Sequence, residues 1–127
     1  MFTRRHILAA AGAAVTLAAM PKAFAHHGWS WTESGFFKLE GKVATIYFGN
    51  PHPTIDVDVE GEIWKVELAP PGATTAAGFT EATAKAGDEI VAIGNRSQDA
   101  AERRMKAVRL ITGGKTYDVY PRRAVDI

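Results

Sequence analysis

The sequence contains no cysteine. Disulfides, thiolate metal sites and a cysteine nucleophile are therefore excluded, and the core must stand on packing alone. No apolar run is long enough for a membrane anchor. The run from Ile7 to Met20 is about 14 residues, against roughly 20 for a helix that spans a bilayer. Neither charge sign dominates, with 15 Lys and Arg against 14 Asp and Glu. Residues 1–25 hold Arg4, Arg5 and Lys22 and no acid, so the remainder carries 12 basic and 14 acidic side chains. Phosphate binding needs a basic face, so this balance argues against a nucleic-acid partner. There is no internal repeat.

The first 25 residues read as an export signal. Thr3-Arg4-Arg5-His6-Ile7-Leu8 has the twin-arginine form, and a mildly hydrophobic Ala/Gly-rich run follows it. Ala23-Phe24-Ala25 has the small-x-small pattern that signal peptidase accepts. The expected organisation is a signal peptide over 1–25, an extended arm over 26–36 and one domain over 37–127, with a periplasmic address and no anchor after cleavage. A domain of about 100 residues supports a single core. In an extended arm Trp29 and Trp31 face the same way and pin it to the domain surface.

The rest reads as strands. Phe37, Leu39 and Val43 alternate with Lys38, Glu40 and Lys42, and beyond Ala44 both faces turn apolar, with Gly41 near the change. Gly49-Asn50-Pro51-His52-Pro53 breaks that strand and holds His52 on a rigid turn. Thr54 to Val59 and Ile63 to Leu68 form a hairpin about Glu60-Gly61, with Trp64, Val66 and Leu68 inward and Lys65 and Glu67 outward. The outward row Asp56, Asp58 and Glu60 lacks the glycine and spacing of a calcium loop and reads as a solvated strand face. Thr74 to Lys85 reads as a short helix with Thr74 or Thr75 as N-cap. Strands follow over Glu89–Asn95, Met105–Thr112 and Lys115–Tyr120, then a frayed tail from Arg122. The expected class is all-β with one short helical insertion: a small OB-like five-stranded β-barrel. A small β-sandwich is the alternative.

Several of these features recur together in one family. His26-His27-Gly28-Trp29 follows the signal, Gly41-Lys42-Val43 lies in the first strand and Asn50-Pro51-His52 at its end. Trp64 sits on the third strand and Gly87-Asp88 precedes the fourth. In these the chain resembles a family of short exported bacterial proteins known only as a domain of unknown function. The resemblance implies an OB-like barrel and a periplasmic address, and it brings no activity and no assigned site. Gly113-Gly114 departs from the Asp-Gly expected at that turn.

Chemistry must therefore come from the histidines. His6 leaves with the signal, so His26, His27 and His52 remain. Cleavage after Ala25 gives His26 a free amine, which with its own ring chelates one metal. His52 would complete the three-nitrogen arrangement that copper(II) prefers, resembling the histidine brace. Zinc accepts the same set with Asp or Glu as a fourth ligand. Cleavage one residue earlier would place His27 third, which also suits copper(II). Three functions follow: a copper- or zinc-binding periplasmic protein; a non-enzymatic OB module for a small ligand, glycan or protein partner, using Trp29, Trp31, Tyr47 and Trp64; and, last, a copper oxidase or oxygenase. The last lacks any second catalytic group in the sequence, so the chain reads as a binding protein rather than an enzyme.

Overall fold

The computed structural model describes residues 28–127. The chain divides into two units, Met1–Trp31 and Thr32–Ile127. The expected signal peptide, His26 and His27 lie outside the described residues. Within the first unit Gly28–Trp31 forms a turn, with Gly28 at φ 68°. The extended conformation expected through this part of the arm is therefore not adopted, and Trp29 and Trp31 do not share a strand face. Trp31 is buried and Trp29 half-buried.

The second unit is a closed five-stranded barrel with a sixth strand appended. Its strands are β1 (Phe37–Tyr47), β2 (Thr54–Val59), β3 (Glu62–Glu67), β4 (Glu89–Arg96), β5 (Arg104–Thr112) and β6 (Lys115–Asp118). Two short helices complete it, α1 (Pro71–Ala76) and α2 (Pro121–Ala124). Strand β1 pairs antiparallel with β4 through residues 37–42 and with β2 through 42–47. The β1–β2 register slips between Val43 and Thr45, which makes Ala44 a bulge. A bulge bends a strand and turns its next residues to the other face. This is the change of face foreseen near Gly41. At Gly41 itself a Cβ would collide with the carbonyl oxygen of Asp58, so only glycine lets β1 and β2 approach there.

The β2–β3 hairpin turns on Glu60 (φ 54°) and Gly61 (φ 88°), a type I′ arrangement. Asp58 Oδ1 accepts the Gly61 N–H at 2.8 Å and stiffens it. Strand β4 pairs antiparallel with β5, and β5 runs parallel to β3 over Arg104–Lys106. That parallel seam shuts the sheet into a barrel. Inside are Leu39, Val43, Ile55, Val57, Trp64, Val66, Met105 and Leu110. Full closure removes the exposed edges that an open sheet of this size would carry.

Three local expectations are corrected. The helix expected over Thr74–Lys85 instead occupies Pro71–Ala76. Pro71 presets the first helical turn, and Gly78, at φ 95°, ends it. Thr74 is no cap: its hydroxyl is buried and donates to the Ala69 carbonyl at 2.7 Å. The tail from Arg122 is not frayed, because Pro121 starts α2 and Ala124 is buried. The final strand stops at Asp118 rather than Tyr120. Outside the barrel wall, Thr32 bridges Ser97, and Asn95 Nδ2 donates to the carbonyls of Glu33 (3.0 Å) and Gly35 (3.1 Å). Those bonds fix the segment leading into β1.

Candidate functional site

His52 follows the cis Asn50–Pro51 bond and precedes Pro53, which is fully buried. Tyr47 Oη donates to the Asn50 carbonyl at 2.9 Å, and the Leu68 N–H donates to the Pro53 carbonyl at 2.9 Å. The turn is thus tied at both ends, to β1 and to the exit of β3. The Pro53 carbonyl also lies 3.3 Å from His52 Nδ1. A carbonyl only accepts, so Nδ1 carries a hydrogen and the ring is held in one orientation. The other nitrogen, Nε2, then points at Glu67 Oε1, 3.2 Å away.

Glu67 ends β3, pairs with Thr54 on β2 and with Lys106 across the parallel seam. Its side chain is only 3% exposed. Its second oxygen, Oε2, accepts from Arg104 Nη1 at 2.6 Å. Arg104 Nε in turn lies 3.9 Å from Glu102 Oε2. Two residues along β5, Lys106 is buried and sets its Nζ 5.7 Å above the Tyr120 ring. The cluster lies on the outer wall of the barrel at the β3–β5 seam. It does not face the core, because Trp64, Val66 and Met105 take the inward positions.

Charge is shared unevenly here. Burial pushes the Glu67 carboxyl up, but the hydrogen bonds from His52 and Arg104 outweigh it and leave the group more acidic than usual. The Glu67 hydrogen bond raises His52 above an ordinary histidine against the opposing effect of its burial. Burial pushes Lys106 down, with Glu67 opposing that shift and Arg123 adding to it. Burial raises Tyr120. One buried carboxylate thus serves a guanidinium, an imidazole and a lysine.

Of the residues proposed from sequence, His52 is in this cluster, while His26 and His27 fall outside the described residues. Glu67, Arg104, Lys106 and Tyr120 were not singled out. Strand alternation marks Glu67 as outward, which it is, but cannot say that β5 will cover it. The one available signal is Lys106, a lysine inside the otherwise apolar run Met105–Val108. Among the described residues no three His, Cys, Asp or Glu side chains gather as a metal cage.

A family model matches residues 13–106, that of a family of unknown function, DUF6152. The chain belongs to this family. The match spans the Asn50-Pro51-His52 turn, Glu67, Arg104 and Lys106, so the DUF6152 region includes the polar cluster on the outer wall, and it stops short of Tyr120. No curated protein matches the sequence. Among solved structures, the crystal structure of the S. pombe Stn1–Ten1 complex matches with a TM-score of 0.50 and 14% identity, over 61% of this chain and 57% of that one. At that identity the likeness concerns the fold alone, and it agrees with the OB-like barrel of this DUF6152 member.

Two other features of the wall are separate from the cluster. Trp64 is a core residue, 9% exposed, stacked on Phe37 with ring centroids 5.3 Å apart, and the Arg96 guanidinium covers both rings at 5.1 and 5.2 Å. Tyr47 is exposed on the outer face. Tyr47 and Trp64 therefore do not form one aromatic platform. A groove of about 530 Å³ runs beside β4, lined by Glu40, Lys42, Glu89, Thr112 and Gly113 among others, and contains none of the cluster.

Proposed function

We propose that the protein is an exported, periplasmic, non-enzymatic OB-like module that binds copper or zinc with its mature amino terminus and His52. The observation that carries this reading is the fixed ring of His52. A turn anchored to β1 and β3 presents it, the Pro53 carbonyl orients it, and its side chain is 27% exposed. A ligand histidine is ordinarily held in this way, with the nitrogen away from the metal hydrogen-bonded to a carbonyl or carboxylate. The twin-arginine motif and the Ala23-Phe24-Ala25 site support export and a mature chain beginning at His26. Its amine, its ring and His52 would supply three nitrogens, with His27 as a spare or fourth ligand.

The test is a copper(II) titration of the processed chain, the His52→Ala variant and a form with extra residues before His26. Both alterations are expected to weaken binding sharply. Equal affinity in all three would refute the reading. The second reading, favoured by the closed barrel and its likeness to an OB protein, is a module whose outer wall takes a small ligand, a glycan or a protein partner. A glycan array and a pull-down from periplasmic extract test it.

A further inference from the structure

We propose that Glu67 is itself a metal ligand, so that His52 Nε2 and Glu67 Oε1 form a two-donor seat for one divalent ion, zinc or copper(II). This rests on the metal reading above and names a ligand that neither the sequence nor the family assigns. The Pro53 carbonyl takes up Nδ1, so any ion on this ring binds at Nε2. From there it meets Glu67, because Nε2 and Oε1 are 3.2 Å apart. Two donors each about 2.0–2.1 Å from a tetrahedral zinc ion lie about 3.3 Å apart. The spacing of the two donors is therefore already that of a shared ion, which would replace the hydrogen between them and sit to one side of the line that joins them.

Both donors are also braced from behind. Arg104 Nη1 holds Oε2 at 2.6 Å, which leaves Oε1 aimed at the ring. Ligating carboxylates and imidazoles are characteristically anchored by such outer partners. An imidazole with a carboxylate suits zinc and copper(II) and disfavours copper(I), which prefers sulfur. The neighbouring cations oppose a dication: Arg104 is bonded to the same carboxylate, and Lys106 and Arg123 lie close by. They set the affinity below that of an isolated His–Glu pair. The remaining coordination positions fall to water.

The experiment titrates zinc into isotope-labelled mature protein and follows the His52 ring nitrogens and the Glu67 carboxyl carbon by NMR. Both signals are expected to shift together and saturate at one zinc per chain. They should do so in the N-terminally extended form as well, at higher zinc. Glu67→Gln, with its fold checked by circular dichroism, should weaken binding roughly 100-fold, at or above the upper limit for losing an outer partner. A shift of His52 with an unmoved Glu67 carboxyl would overturn the inference and leave the brace standing. If neither group responds in the mature chain, the inference is overturned, while the copper(II) titration decides the metal reading separately. The wild-type spectra decide the matter even if Glu67→Gln does not fold.

Discussion

The His52–Glu67 contact should make stability depend on pH in a defined direction. His52 is raised from 6.5 in the folded protein, chiefly by its hydrogen bond to Glu67. Its contribution is therefore complete below pH 6.5 and disappears as the pH rises through the folded value. Glu67 is lowered from 4.5, so its contribution is complete above pH 4.5 and disappears as the pH falls through the folded value. Both are whole between about pH 4.5 and 6.5. The groups around the pair are Arg104 and Lys106 on β5 and Tyr120 and Arg123 at α2; Lys106 works mildly against the charged imidazole. The His52 side chain is 27% exposed and that of Glu67 3%, so water screens the contact only in part. A hydrogen bond between charged groups of this kind contributes about 1.5–3 kcal/mol. His52→Gln should therefore cost about 1.5–3 kcal/mol in a urea melt at pH 5.5. The cost should fall below about 1 kcal/mol at pH 9, where the wild-type ring has lost its charge. An identical penalty at the two pH values would show that His52 acts by packing alone and refute the ion-pair argument.

Three further outcomes are expected. Trp64→Ala should cost about 3–5 kcal/mol, the usual loss at an emptied aromatic core site, and a penalty below about 1 kcal/mol in a denaturant melt would place Trp64 on the surface. Gly41→Ala should destabilise by about 1–3 kcal/mol through its collision with the Asp58 backbone, again read from a melt. Replacing Arg4 and Arg5 by lysine should trap the precursor in the cytoplasm, and unchanged export in a fractionation assay would count against the twin-arginine route.

The barrel was legible because its strands carry two independent signals. Period-two burial marks β2 without error at either end, and the Glu60-Gly61 turn fixes the hairpin register. The helix was not legible at its true place. Thr74 looks like a cap, yet Pro71 and Gly78 bound the helix, and the Thr74 hydroxyl is taken by Ala69. A proline that ends a strand can also begin a helix, and Pro121 does so. The site was half legible. His52 stands out between two prolines, whereas Glu67 looks like any solvated acid on an outward strand face. Its burial comes from β5, 37 residues further along at Arg104, and no local pattern carries that information.

The parallel seam between β3 and β5 has a dynamic consequence. It is three residue pairs long: Lys65 with Arg104, Val66 with Met105 and Glu67 with Lys106. One of the backbone bonds beside it runs from the Lys65 N–H to the Arg103 carbonyl at 2.9 Å. So short a ladder between distant parts of the chain is a natural place for sub-global opening. The same six residues supply the carboxylate, guanidinium and lysine of the cluster. An excursion that parts the seam therefore strips Arg104 and Lys106 from Glu67, while the His52–Glu67 contact, which does not cross the seam, is left without its outer brace. Slow amide exchange at Lys65 would then report, through one backbone proton, on how much of the time Glu67 stands without its guanidinium.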